Sequence, residues 1–426
     1  MTPSARIQAT LEILERLDIS PVPMDTTIGD YMRQRRYIGS KDRADIVERA
    51  YSIVRHYARL NWAIETTASI PSPLLRLLAH LKIVEQHQKP ESLFGEAKFS
   101  LPALDEVTIS ILHALPHNFE GAPEHILVEC PIEYQHSLRN YFGDTFATEM
   151  LALSVGATLD LRVNTQHSNR DDVCASLLQD GVATKMTPYS PWGLRAENKS
   201  FLSNTKVFRL GEIDIQDEGL QLIALACNVK PGLQVLDYCA GGGGKTLALA
   251  AAMNIKGRIV AMDIEASRLA KARDRFRRAK VSDIIEMRPL SDEKNRKWLR
   301  RQKQTFDVTL VDVPCSGTGT WRRNPDMRWR TYGPSLAELL IVQQEILEKV
   351  AQTVKTGGRL VYATCSLLPE ENEMQIEAFL AKHPEYILSP LTDIWPEDCT
   401  PPCEGSYMRL TPHRHSTDGF FAAILI

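Results

Sequence analysis

Two cysteines stand at matching places in this sequence. In TLVDVPCSGTGTWRRNPDMRWR an apolar run ends at Asp312, Pro314 fixes the chain, and Cys315 follows. Fifty residues on, GRLVYATCSLLPEEN repeats the plan and ends its own apolar run at Cys365. Short apolar runs bounded by turn residues read as buried strands, so each thiol sits at a carboxyl end, the edge where doubly wound sheets hold ligands. If the two strands are neighbours, both thiols face one pocket. A lone cysteine at a strand end reads more naturally as core. Two at homologous ends of one sheet reverse that preference. A disulfide is disfavoured in a reducing compartment, and neither cysteine has a second metal ligand at short spacing.

A second cluster lies upstream, in VLDYCAGGGGKT, where a strand runs into Cys239, Ala240, Gly241, Gly242, Gly243, Gly244 and Lys245. The ending GKT invites a phosphate-loop reading, but that loop needs glycine at position 239, which is cysteine. The dinucleotide pattern fails too, because its third glycine falls on Thr246. What remains is a loop whose glycines let a ligand lie against the backbone. About twenty residues on, RIVAMD ends in Asp263, placed to accept both hydroxyls of an adenosine ribose. An adenosine carrying an amino acid, S-adenosyl-L-methionine, fits this pair better than a triphosphate. The plain alternative is a glycine turn that packs strand on helix.

A methyl donor beside a thiol points to one chemistry. Carbon 5 of a pyrimidine is too electron-poor to attack a methyl sulfonium. A thiolate adding to carbon 6 makes an enamine, and carbon 5 becomes the nucleophile.

The elements that would position these groups follow from periodicity. From about residue 216 to 426, LQVLDYC, GRIVAMD, FDVTLVDV and GRLVYAT alternate with EGLQLIALACNV, TLALAAAM, EASRLAKARDRFRRAKV and PSLAELLIVQQEILEKVAQTV. That rhythm predicts an α/β fold with a doubly wound, mostly parallel sheet, closed by GFFAAILI as a last strand. Residues 1–85 read as helices, 86–124 as a linker with one short helix around LDEVTISILHAL. Over 125–215, LDLRVNT, the helix-like RDDVCASLLQD and KVFRLG make a small α/β unit.

Composition sets the bounds. The chain of 426 residues is 43% hydrophobic and 24% charged, which excludes disorder, and no apolar run reaches membrane-spanning length. Eight scattered cysteines and an N-terminus without a signal-peptide core lead to an expected cytoplasmic setting. A net charge of −3 hides a basic stretch at 268–303, with fourteen Lys or Arg against five Asp or Glu. A solvated helix face explains it as simply as nucleic acid does. In YMRQRRYIGSKDR, basic residues alternate with Tyr31 and Tyr37, which suits phosphate contacts with base stacking. Tyr51, Tyr57 and Trp62 read as helical core. Cys399, Cys403, His413 and His415 match no zinc spacing, so no metal is expected.

In QDEGLQ, VLDYCAGGGGKT, VAMDIEASRL, LVDVPCSGTGTWRRNPDMRW, YATCSLLPEENE and TDGFFAA, in that order over 216–426, the chain resembles the Sun and nucleolar-protein family of RNA 5-methylcytosine methyltransferases. The resemblance implies a Rossmann-like methyltransferase domain using S-adenosyl-L-methionine. It implies Cys365 as nucleophile, Cys315 as the group assisting product release, and Asp312 near both methyl donor and base. The cofactor loop carries over onto Cys239 through Lys245, with Asp263 on the ribose. Two departures stand out. Gly241 and Gly242 replace the family's Ala-Pro, and IIEMRPLSDEK offers only Asp292 where an aspartate contacts the adenine. RRYIGSKDR and its helices are similar to the antitermination-factor-like RNA-binding domain of bacterial members. That similarity favours ribosomal RNA as partner, with transfer RNA next, and implies neither a membrane nor an obligate protein partner. A non-catalytic ribosome-assembly factor, or a DNA or small-molecule methyltransferase, are the rival readings.

Overall fold

The computed structural model describes residues 1–95, 101–198, 200–397 and 399–426. The linker assigned to 86–124 therefore includes five positions, 96–100, outside the described residues. Backbone contacts divide the chain into two units, Met1–Gly156 with Thr320–Gly333, and Ala157–Gly319 with Pro334–Ile426.

The first unit is helical. Pro3–Ile19 begins where Thr2 accepts from the Ala5 amide at 3.2 Å and Pro3 gives up no hydrogen bond. Its Ile7, Leu11, Leu14 and Leu17 recur at three- and four-residue spacing and are buried with Ile46 and Ile53 of helix Ser40–Arg55. Tyr51, Tyr57 and Trp62 pack against this core, as expected. Helix Tyr57–Glu65 is capped from a distance. The buried Glu129 carboxylate accepts from the Ala58 amide at 2.9 Å and from the Arg59 amide and Nε. That bond helps group 124–156 with the helices, although the sequence pattern starts an α/β unit at 125.

Residues 320–333 join this unit for a similar reason. Helix Met24–Gln34 has no cap of its own, and Asp326 supplies one, its Oδ2 accepting from the Met24 amide at 2.8 Å. Arg330 does the opposite for Pro3–Ile19, donating to the carbonyls of Leu17, Asp18 (2.8 Å) and Ser20 (3.3 Å). A carboxylate thus meets a helix N-terminus and a guanidinium a C-terminus, each the favourable sign for the helix dipole.

The second unit holds two sheets. β1 (Leu159–Val163), β2 (Thr184–Met186), β3 (Gly193–Ala196) and β4 (Ile213–Ile215) form an antiparallel sheet in the order β2-β3-β1-β4. KVFR is one helical turn rather than a strand, begun by Thr205, which accepts from Phe208. β5 (Gln234–Tyr238), β6 (Arg258–Asp263), β7 (Ile285–Pro289), β8 (Phe306–Asp312), β9 (Val354–Thr364), β10 (Tyr407–Leu410) and β11 (Phe420–Leu425) form the second sheet, ordered β10-β11-β9-β8-β5-β6-β7. β7 through β9 in that order run parallel, and β10 and β11 antiparallel. The doubly wound expectation holds, including the last strand. β8 and β9 are neighbours, with Asp312 opposite Ala363. The small sheet is tied to helix Ala266–Arg278, which follows β6, by Asp214, which accepts from Arg275 and from Arg278 (3.0 Å). Among the described residues no helix is long and apolar enough to cross a membrane.

Arg330→Met keeps the bulk and removes three helix-terminal bonds. Urea unfolding should show a loss of about 1.5–3 kcal/mol, the range for hydrogen bonds from a charged donor. An unchanged midpoint would show that the last turn of Pro3–Ile19 needs no cap.

Candidate functional site

The carboxyl edge of the large sheet gathers the residues singled out above. After β5 the chain turns through left-handed conformations at Cys239 (φ 65°), Gly241 (φ 56°) and Gly243 (φ 76°) before helix Gly244–Ala252 begins. Gly243 must be glycine, because a Cβ there would lie 2.5 Å from the Phe276 ring. Gly241 and Gly242 meet only the ends of Arg268 and Arg275. Arg275 also donates to the Gly242 carbonyl.

Asp263, 3% exposed at the end of β6, accepts from the Gly241 amide and the Glu265 amide, each at 2.8 Å. A carboxylate offers about four acceptor positions, so each oxygen retains capacity for a further donor. Asp237, one strand away, accepts from Thr246 Oγ1 at 2.6 Å through Oδ2, while its buried Oδ1 has no hydrogen-bond partner. Gln216, 4% exposed, accepts through Oε1 from Arg162 Nε at 2.8 Å and leaves its buried Nε2 unpartnered facing Gly244. Spare acceptors on Asp263, an orphaned amide and a glycine floor fit a ligand with hydroxyls at one end and a carboxylate at the other.

Lys245 is buried and paired with Asp312 at the end of β8. Burial works against its charge, but the Asp312 carboxylate outweighs it and holds the ammonium above the ordinary lysine value. Cys239 is held protonated by burial, then by Asp312, Asp263 and Asp237. Burial also pushes Asp237 up to about 6, against the Thr246 bond and Lys245. Asp292 lies at this edge but caps helix Glu293–Arg300, accepting from the Lys294 amide at 2.8 Å.

The neighbouring strand ends bring the half-buried cysteines together, with Cys315 Sγ 3.3 Å from Cys365 Sγ. Contact with the Cys365 sulfur, then burial, pushes the Cys315 thiol well up, so Cys315 keeps its proton. Three residues around them escaped the sequence reading. Glu371, Asn372 and Gln343 bond to the backbone beside the two cysteines, and the only trace of this is the PEEN run itself.

Two other clusters fare differently. In the basic stretch, Arg275 and Arg278 are committed to Asp214, and Arg278 lies 4.0 Å over the Phe208 ring, while Arg268, Lys271, Arg273 and Arg277 are exposed. Cys403 Sγ lies 3.8 Å from His415 Nε2 and 3.1 Å from the Arg409 carbonyl. Among the described residues no three His, Cys, Asp or Glu side chains converge as a metal set.

Residues 224–426 match the family described as 16S rRNA methyltransferase RsmB/F, and residues 134–200 the ferredoxin-like domain of RsmF/B-like methyltransferases. A Synechocystis protein named probable ribosomal RNA small subunit methyltransferase B is 30% identical over 420 residues, covering 93% of this chain and 94% of its own. The crystal structure of the protein PH0851 superposes with a TM-score of 0.77 at 27% identity, covering 100% of this chain and 99% of that one. A methyltransferase homolog from Pyrococcus horikoshii gives 0.57 at 27% identity, covering 71% and 97%.

The Asp237 carboxyl offers a test by pH. Its folded value, about 6, lies above the ordinary 3.8, so the folded state binds more protons in that window. Its contribution to stability is therefore lost as pH rises from about 4 to about 6 and is flat above. Asp237→Asn carries no charge and should gain on the wild type over that interval in urea unfolding. A stability difference independent of pH would show that Asp237 titrates normally.

Proposed function

The chain belongs to the RsmB/F family of 16S rRNA methyltransferases, and from that premise we propose that it methylates carbon 5 of a cytosine in ribosomal RNA, through a covalent cysteine intermediate. The observation that carries this reading is the 3.3 Å contact between Cys315 and Cys365, beside the glycine loop. A lone nucleophile would need no second thiol. Two thiols suit a reaction in which one adds and the other helps the adduct leave.

The loop from Cys239 to Lys245 would hold S-adenosyl-L-methionine, with Asp263 accepting from the ribose hydroxyls. When bound, this cofactor supplies an electrophilic methyl group on a sulfonium. Cys365 is the nucleophile: its thiolate forms a bond to carbon 6 and moves an electron pair toward carbon 5. Asp312, held in place by Lys245, orients the base by accepting from its exocyclic amino group. After carbon 5 has been methylated, its proton must leave and the carbon–sulfur bond must break, returning the electron pair to Cys365. Cys315 assists that elimination: its proton passes to the departing Cys365 sulfur 3.3 Å away, and the Cys315 thiolate so formed takes the proton from carbon 5. A thiol that keeps its proton is poorly suited to compete as nucleophile and well suited to exchange protons during release.

Cys365→Ala should abolish methylation of RNA by tritiated donor and form no covalent complex. Cys315→Ala should still add and methylate but fail to release. Protein would then accumulate as a ribonuclease-sensitive band of raised mass on a denaturing gel, absent from the double variant. Trapping by Cys365→Ala instead would reverse the two roles.

The exposed part of the basic helix supplies a second test. Lys271→Glu with Arg273→Glu should reduce the salt slope of RNA binding by about 0.7–0.9 per lost phosphate contact. A slope equal to the wild type's would return that face to solvent.

A further inference from the structure

We propose that Glu371 and Asn372 are a paired positioning device, one residue for each cysteine, which sets the separation of the two sulfurs. The inference deepens the cytosine reading and rests on it. Neither cysteine lies within a strand. Cys365 is the first residue past β9, and Cys315 is three residues past β8. Left to the strands alone, both would be loop residues with freedom to drift.

Each is bracketed instead. Asn372 spans Cys365: its Oδ1 accepts from Thr364 Oγ1 at 2.6 Å on one side, and its Nδ2 donates to the Ser366 carbonyl at 3.0 Å on the other. Glu371 does the same for Cys315 with a helper. Its carboxylate accepts from the Ser316 amide at 2.8 Å and from Ser316 Oγ at 2.5 Å, just after the cysteine. It also accepts at 2.9 Å from Gln343 Nε2, which donates at 3.0 Å to the Pro314 carbonyl just before it. The two brackets are cross-linked. Thr318 Oγ1 lies 3.1 Å from Ser366 Oγ and accepts from the Leu367 amide at 2.8 Å, and the Gly319 amide donates to the Cys365 carbonyl at 3.0 Å.

Because Glu371 and Asn372 are adjacent on one buried turn, a shift of one cysteine is transmitted to the other. The residue types fit the task. Three donors converge on Glu371, which is 0% exposed, and only a carboxylate presents acceptors on both oxygens. Glutamine would turn an NH2 toward one of those donors. Asn372 must both accept and donate, which aspartate cannot do. Positioning matters here because displacement of a reacting group by about 1 Å can lower a rate by two orders of magnitude.

The test has one arm that needs no turnover. With oxidised glutathione as the probe, the two thiols of the full chain can close to a disulfide, passing two electrons and two protons to the probe as two glutathione thiols. Peptide mass spectrometry would follow closure. Glu371→Gln and Asn372→Ala, each shown folded by circular dichroism, should close about tenfold more slowly, the equivalent of one net hydrogen bond. The second arm reads turnover. Glu371→Gln should lower kcat with KM for RNA unchanged and accumulate adduct as Cys315→Ala does, whereas Asn372→Ala should form less adduct. If Glu371→Gln does not fold, Ser316→Ala removes one of its bonds and should show the same pattern more weakly.

Closure and kcat at wild-type values in both variants would overturn the proposal while leaving the cytosine reading intact. Equal loss in both variants, tracking only a lowered melting temperature and without the opposed adduct levels, would also overturn it. If Cys365→Ala keeps methylating and Cys315→Ala traps nothing, the cytosine reading itself falls and takes the release role with it. The closure rates would still report whether the clasp spaces the sulfurs.

Discussion

The parallel pairing of β8 with β9 is the constraint on which the rest of this site depends. With Asp312 opposite Ala363, the two chains leave the sheet side by side, and the sulfurs can meet at 3.3 Å. Adjacent strands lie about 4.8 Å apart, so groups on neighbouring strand ends can touch while groups two strands apart cannot. Placing β5 on the other flank of β8 brings the glycine loop to the same edge and Lys245 into reach of Asp312. One strand order therefore puts a ligand floor, a carboxylate and two thiols side by side.

The electrostatics of this edge are deliberately unbalanced. Asp263 and Asp312 end β6 and β8, Asp237 lies one residue before the end of β5 between them, and Lys245 is buried beside them. The surplus negative charge helps to keep the Cys239 thiol protonated. On the proposed reading the same surplus suits a ligand that arrives carrying positive charge. Two loop thiols, Cys239 and Cys315, thus keep their protons by different means, one through burial and carboxylates, the other first through its sulfur neighbour.

Much of this was legible in the sequence because it obeys short-range rules. Short continuous apolar runs locate β5, β6, β8 and β9, and turn residues locate their ends, so the positions of Cys239, Asp263, Asp312, Cys315 and Cys365 follow. β7 and β10 are less readable: the first is only half-buried along its length, and the second has four residues. The contacts of Glu371, Asn372 and Gln343 left no trace beyond the PEEN run. Gln343 lies inside a helix 28 residues from Glu371, and nothing local marks it as a partner. Charge counting likewise could not separate Arg275 and Arg278, spent on Asp214, from the exposed arginines beside them.

The run that follows Cys315 shows why composition misleads at this point. Four arginines and two tryptophans in ten residues have the make-up of a nucleic-acid patch. Yet Arg328 is 2% exposed, lies 4.8 Å over the Trp321 ring and donates to Ser154 Oγ at 2.9 Å. Trp329 donates its Nε1 hydrogen to the Val54 carbonyl at 2.9 Å, and Arg330 closes the end of a helix. Arg328, Trp329 and Arg330 are used up inside the helical unit. An aromatic exposed enough for stacking is Tyr37, 75% exposed, with Arg36 and Lys41 exposed on either side of it in sequence. A guanidinium whose donors are already engaged by carbonyls has little left to offer a phosphate. Burial and partners, rather than residue type, therefore decide which basic clusters of this chain can face RNA.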